Sequence, residues 1–209
     1  MSPSEASANV ETVTLNSGSD ARFVPAGTPF NYDITTKDTT VAAGQRMTFN
    51  GGALLATETL LFDGSEESNG EFRIFGGAAN DTLRGGAGAD LIFGGLGGDT
   101  MTGGGGNDMF QYNSAADSTA AGPDRIGDFT LGDLLDLSRI DANTGAEGDQ
   151  AFAFIGSGAF TNQAGQLRAV RTDGSVWTVS GDVDGNGQAD FEVIITTDLD
   201  AITQAAFVL

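Results

Sequence analysis

The chain has 209 residues, room for one large domain or two small ones, and its 29 acidic against 9 basic residues give a formal charge of −20 without a single histidine. Nucleic acid and anionic membrane are therefore poor partners, because both require a basic surface, whereas cations are good ones. The chain has no cysteine, which excludes disulfides and thiolate metal sites and, with histidine missing too, disfavours zinc; its 39% apolar content still predicts a folded state.

Met1 to Ala8 lacks a basic segment followed by an apolar run, so no N-terminal export signal is read there, and no stretch reaches the length of a membrane helix. Residues 1 to about 20 carry little pattern and are expected to fray. Phe49-Asn50-Gly51, Phe62-Asp63-Gly64 and Phe75-Gly76-Gly77 then recur every thirteen residues, each closing an apolar strand with turn residues. Leu60, Leu61 and Phe62, then Phe72, Ile74 and Phe75, are expected to form the core of these long rungs. Glu66, Glu67 and Glu71 read as a solvated acidic turn rather than as a glycosidase pair.

Between Gly76 and Gln111 the pattern tightens into four nine-residue units, GGAANDTLR, GGAGADLIF, GGLGGDTMT and GGGGNDMFQ. Each opens Gly-Gly. The sixth position is always aspartate (Asp81, Asp90, Asp99, Asp108), and the eighth is always apolar (Leu83, Ile92, Met101, Phe110). Glycines let successive carbonyls turn toward one point, and the aspartate adds charge, which together suit a hard cation such as Ca²⁺ with its six to eight oxygen ligands at roughly 2.3–2.6 Å. Three residues of strand follow each loop, the middle one pointing inward. Because one coil uses two units, each loop lies beside the loop eighteen residues later: 76–81 facing 94–99, and 85–90 facing 103–108. The alternative is a glycine-rich parallel β-helix whose aspartates only cap turns, against which stands the repulsion of stacked carboxylates.

Downstream, a degenerate fifth unit from Tyr112 to Ala120 keeps Asp117 at position six without the glycines, and an ordinary surface turn explains it equally well. Strands are expected at Val176 to Val179 and Phe191 to Ile195. Between them, Asp182, Asp184, Asn186 and Asp190 stand at positions 1, 3, 5 and 9 of an EF-hand-like loop, although position 12 is Val193 and Asn186-Gly187 is a hairpin turn signal by itself. The ending, Asp198 to Leu209, reads as a short helix or strand.

The nonapeptide resembles the repeat of RTX proteins, and from about Gly76 to Leu209 the chain resembles the C-terminal domain of serralysin metalloproteases, notably in Asp124-Arg125-Ile126-Gly127-Asp128-Phe129 and Leu131-Gly132-Asp133-Leu134-Leu135-Asp136-Leu137. The resemblance implies an all-β fold: a parallel β-roll or β-helix with calcium-binding nonapeptide turns, followed by a mainly antiparallel β region. Three parts are expected: rungs over 1–75, the roll over 76–122 and the serralysin-like region over 123–209. It further implies one ion held by Gly77, Ala79, Asp81, Gly94, Leu96 and Asp99, and a second by Gly86, Gly88, Asp90, Gly103, Gly105 and Asp108. Asp128 is implied to close the last sites. Two departures stand out: Ala79 replaces a glycine, and Asp128 to Asp133 is one residue short of the family pattern, which puts Asp133 in doubt.

The terminal Ala205 to Leu209 (AAFVL) resembles the uncleaved signals of type I exporters, with Ala206 where an acidic residue is usual. Together these resemblances imply a secreted, extracellular or cell-surface bacterial protein with calcium ions and a type I secretion exporter as partners. A glycan, a cell-surface component or self-association completes the expected partners, with no nucleic acid and no membrane span. No catalytic residues are expected, since without histidine there is neither a His-Glu-x-x-His site nor a Ser-His-Asp triad. Two roles stay open: a non-catalytic structural, matrix, adhesion or surface-layer protein, favoured by Met1 and the export-like tail on one short chain, and an auxiliary module of a polysaccharide-active or proteolytic enzyme.

Overall fold

The computed structural model describes residues 11–18 and 29–209, so most of the expected frayed start lies outside the described residues. The exception is β1 (Glu11–Thr14), a strand that pairs in parallel with β3. It is followed by β2 (Tyr32–Thr35), β3 (Arg46–Asn50), β4 (Leu60–Asp63) and β5 (Glu71–Phe75), then by the short β6 (Thr82–Arg84), β7 (Leu91–Phe93), β8 (Thr100–Thr102) and β9 (Met109–Gln111). β10 (Asp124–Ile126), β11 (Leu134–Asp136), β12 (Ala153–Phe154), β13 (Gln166–Asp173), β14 (Val176–Asp182), β15 (Phe191–Thr196) and β16 (Phe207–Val208) complete the order.

As far as β11, odd and even strands go to different sheets. One sheet runs β1-β3-β5-β7-β9-β11-β16, the other β12-β13-β14-β15-β10-β8-β6-β4-β2, so each turn of the chain adds one strand to each layer and two units make one coil. A column of apolar side chains runs up the inside of each layer. In the first, Phe49, Ile74, Ile92, Phe110, Leu135 and Phe207 are paired in register, and in the second Ile34, Phe62, Leu83, Met101, Ile126 and Ile195. Leu83, Ile92, Met101 and Phe110 are all 0% exposed, each contributing about 1.5–3 kcal/mol of apolar burial.

Two residues assigned to the core face outward instead. Leu61 is 43% exposed, and Phe75 is only half-buried, stacking on Phe93 at 6.3 Å between ring centroids. The period of two explains both, since the flanking Leu60, Phe62 and Ile74 take the inward positions. The roll also continues past the glycine repeats: β10 stacks on β8, and β11 on β9. Among the described strands, β13, β14 and β15 form the antiparallel part, joined to the roll through the parallel β15–β10 pair. The chain end is both helix and strand, a 3-10 turn over Gln204–Ala206 leading into β16, which pairs with β11.

Candidate metal centre

Each nonapeptide loop ends on its aspartate one residue before a strand, and the coil stacks these aspartates into two ladders. In the first, the Leu60 amide donates to Asp81 Oδ1 at 2.7 Å, the Asp81 amide to Asp99 Oδ1 at 2.7 Å, and the Asp99 amide to Asp124 Oδ1 at 2.7 Å. The second repeats this through Phe72 to Asp90 at 2.6 Å, Asp90 to Asp108 at 2.9 Å, and Asp108 to Asp133 at 2.9 Å. The four repeat aspartates are at most 2% exposed. The expected pairing of loops eighteen residues apart is thus the arrangement seen.

The loops differ in how the second carboxylate oxygen is used. In loops 76–81 and 85–90 it closes the turn on itself, accepting from Gly77 at 2.7 Å and from Gly86 at 2.6 Å. In the later loops Gly95 (φ 98°) and Gly104 (φ 96°) adopt the left-handed region open to glycine. Asp99 Oδ2 is left without a partner, and the Gly104 amide donates to Asp128 Oδ2 at 2.8 Å. Carbonyls crowd the gap between facing loops: an added Cβ on Gly95 would lie 2.0 Å from the Gly77 oxygen, and one on Gly104 1.9 Å from the Gly86 oxygen. The Ala79 and Gly88 oxygens approach Gly97 and Gly106 in the same way, and the Gly94 and Gly103 oxygens point back at Gly76 and Gly85.

These carboxylates carry unfavourable charge. Burial pushes Asp90 up to about 6, Asp99 and Asp108 to about 7 and Asp124 to about 8. Neighbouring carboxylates add to this, Asp81 and Asp117 acting on Asp99, and Asp90, Asp133 and Asp128 on Asp108, while hydrogen bonds from backbone amides offset part of it. The ion pairs among the described residues are Lys37–Glu66 and Arg46–Glu71, neither of which includes a ladder aspartate. Oxygen-only donors, buried unpartnered oxygens on Asp99 and Asp124, and no ion pair to either among the described residues fit a hard divalent cation.

The implied ligands map onto this geometry unevenly. Gly77, Ala79, Asp81, Gly94 and Asp99 meet across one gap, and Gly86, Gly88, Asp90, Gly103 and Asp108 across the other. Leu96 and Gly105 are seen through their amides, which donate to Gly77 and Gly86 carbonyls at 3.0 and 2.9 Å. Asp128 caps the start of loop 103–108 from the next coil, accepting from Gly103 at 2.9 Å as well as from Gly104. In the β14–β15 hairpin, carboxylate oxygens of Asp182, Asp184 and Asp190 lie within 4.8 Å of one another. There Asp182 accepts from Gly185 and Gly187 at 2.7 and 2.9 Å, and the Asn186 side-chain amide donates to Asp184 at 2.9 Å.

Several site residues escaped the motif. Asp124 and Asp133 form the third step of each ladder, twenty-five residues after Asp99 and Asp108. They keep the nine-residue spacing between themselves, which was the available signal. Asp117 is buried and closes its own turn, accepting from Asn113 at 2.7 Å and Ser114 at 3.0 Å, as Asp81 does from Gly77. Glu67, read as part of a solvated turn, is 0% exposed and caps the amides of Val41, Asn69 and Gly70 at 3.0, 3.3 and 3.1 Å, whereas Glu66 and Glu71 do lie at the surface in ion pairs.

A parallel roll of glycine-aspartate turns stacked into carboxylate ladders defines an RTX-type domain. The sequence model of the family described as Peptidase M10 serralysin C terminal matches residues 69–209, and the chain belongs to that family. Metalloprotease AprA of Pseudomonas entomophila (strain L48) is 45% identical over 134 residues, which are 59% of this chain and 26% of the relative, so the chain spans about a quarter of that protein's length. The solution structure of the AlgE6R2 subunit from the Azotobacter vinelandii mannuronan C5-epimerase aligns with 85% of this chain and 92% of its own at 24% identity and a TM-score of 0.42.

Proposed function

We propose that the chain is a non-catalytic calcium-binding module that folds on extracellular Ca²⁺ after export, in a structural, matrix, adhesive or surface-layer role. The observation that carries this reading is the pair of buried aspartate ladders, faced by backbone carbonyls and without a basic partner. One ion lies between loops 76–81 and 94–99, held by Gly77, Ala79, Asp81, Gly94, Leu96 and Asp99. A second lies between 85–90 and 103–108, held by Gly86, Gly88, Asp90, Gly103, Gly105 and Asp108, and Asp128 helps to close the last sites of the roll. The hairpin loop of Asp182, Asp184, Asn186 and Asp190 takes another, weaker ion. Family membership supports calcium and export through a type I system, with the signal in the C-terminal residues.

The physical logic is linkage. At low cytosolic Ca²⁺ the ladders repel, and the glycine loops keep high conformational entropy. Outside, sites with Kd of roughly 10⁻⁴ to 10⁻³ M fill, and each adds RT ln(1 + [L]/Kd) to stability. The parts over 1–75, 76–122 and 123–209 differ in this respect, the middle one depending most on the ion. Circular dichroism during titration from EDTA into calcium tests the reading. A cooperative gain of strand signal is expected, and superimposable spectra overturn it. A second reading, an auxiliary module of a longer secreted enzyme, is favoured by the match to only 26% of a metalloprotease.

A further inference from the structure

We propose that calcium dependence begins inside the glycine array and not at its start: the rungs as far as loop 85–90 are a template that keeps its shape without the ion, and calcium closes loops 94–99 and 103–108 onto it. The inference rests on the calcium reading of the ladders and says where along the chain the ion acts.

The four loops share one motif but differ in glycine, with two in GGAAND, three in GGAGAD and four each in GGLGGD and GGGGND. Each added glycine widens the unfolded ensemble that folding must narrow. The backbone follows this gradient. Gly95, Gly97, Gly104 and Gly106 take φ of 98°, 130°, 96° and 106°, whereas among the described residues no glycine of the two earlier loops has a positive φ.

Closure of the loops differs in the same direction. Asp81 and Asp90 each use both carboxylate oxygens: one accepts from the loop itself, at Gly77 and Gly86, and the other from the preceding rung, at Leu60 and Phe72. Asp99 accepts the Asp81 amide on Oδ1 and nothing on Oδ2. Among the described residues it is the first along the chain to bury a side-chain oxygen or nitrogen without a hydrogen-bond partner.

The earlier loops are also docked onto rungs that hold themselves together. The Ala78 amide donates to the Leu54 carbonyl at 3.2 Å and the Ala87 amide to the Glu67 carbonyl at 2.9 Å. Glu67 is 0% exposed, its carboxylate caps Val41, Asn69 and Gly70, and Phe49, Phe62 and Phe72 pack nearby with ring centroids 4.6, 5.2 and 6.1 Å apart. Each ion therefore meets one half-site already formed, on loop 76–81 or 85–90, and one that it recruits, on loop 94–99 or 103–108. A pre-formed half-site loses less conformational freedom on binding, so the template lowers the calcium concentration at which the later loops close.

Hydrogen–deuterium exchange read by mass spectrometry on the full chain, in EDTA and in calcium, tests this. In EDTA, amides over 46–93 should exchange at least about tenfold more slowly than those over 94–111, and calcium should slow the second stretch to match the first. Exchange in EDTA that is equally fast, or equally slow, over both stretches overturns the template, while a slowing by calcium leaves the calcium reading standing. Identical exchange with and without calcium along the whole chain overturns the calcium reading itself. Glu67→Leu removes no oxygen assigned to an ion and should speed exchange over 46–93 in EDTA; unchanged exchange there overturns the anchoring of the template by Glu67. If that variant does not fold even in calcium, the wild-type comparison decides alone.

Discussion

The long rungs before Gly76 and the nonapeptide rungs after it both bury a carboxylate in the turn ahead of a strand, yet the two regions use it in opposite ways. Glu58, 1% exposed, accepts from the amides of Gly18, Phe30 and Leu55 at 2.6, 3.2 and 2.9 Å. Burial opposes its charge, but these bonds and one from Ser17 outweigh it and hold its pKa down to about 2. Asp99 has one amide on Oδ1 and nothing on Oδ2, and burial beside Asp81 and Asp117 carries it to about 7. A carboxylate saturated by amides is content as an anion. One that shares a gap with other carboxylates needs a cation from outside.

The comparison breaks most visibly if the ladder is cut. Asp90→Ala with Asp108→Ala removes two carboxylates from one gap and strands the amides of Phe72, Gly86 and Asp90, each at about 1–3 kcal/mol. The calcium midpoint of folding should rise by at least about tenfold, equivalent to about 1.4 kcal/mol. A midpoint unchanged in a calcium titration by circular dichroism would count against the ladder as the binding element. Glu67→Leu is the mirror experiment. It strands three amides and should destabilise by about 2–4 kcal/mol with an equal shift of Tm in EDTA and in calcium. A loss confined to the calcium-loaded form would place Glu67 with the ladders instead.

pH should separate the two regions next. The ladder aspartates have folded pKa values raised to about 6, 7, 7 and 8 for Asp90, Asp99, Asp108 and Asp124, against about 3.9 in an unfolded chain. A raised value means that the folded state binds more protons. The contribution is complete below about pH 4 and is lost as pH rises through about 6 to 8. Glu58 runs the other way: its depressed value gives stability that is present above about pH 4.3 and fades as pH falls toward 2. In EDTA, the folded state should therefore be most stable near about pH 4 and should lose stability steadily as pH rises toward about 8. Calcium should flatten the alkaline fall, because the ion replaces the proton as counter-charge. A calcium-free profile that rises toward pH 8 would contradict the raised values.

How much of the molecule was legible in its sequence depends on the same contrast. Fourfold repetition announced the loops, their pairing partners and the inward column of Leu83, Ile92, Met101 and Phe110, because one residue type per position leaves little choice of register. Glu58 and Glu67 were not legible, since a glutamate that caps amides from distant segments such as Gly18 and Val41 has no local pattern. Asp124 and Asp133 were hidden by the insertion that stretches the step from eighteen residues to twenty-five while the coil continues unbroken. Leu61 and Phe75 misled in the opposite direction: apolar side chains in an unbroken run conceal which alternate position faces in.

The smallest expected effect belongs to the hairpin, where ion site and plain turn share one geometry. Asp182 is 0% exposed and already accepts two amides, and Asp190 accepts from Val183 at 2.8 Å, so both have turn-forming roles that hold without metal. Asp184 is exposed and holds only the backbone and side-chain amides of Asn186, both at 2.9 Å. Asp184→Asn should therefore change stability in EDTA by about 0.5 kcal/mol or less, as an exposed polar substitution does. With calcium at about ten times Kd, an ion in the loop adds about 1.4 kcal/mol, most of which the variant should lose along with one of three carboxylates. Trp177 lies in β14, paired with Ile195 of β15, and its fluorescence reports unfolding of this hairpin. A calcium-dependent loss of about 1 kcal/mol in the Trp177 transition assigns the loop a metal, and equal losses with and without calcium make it a turn.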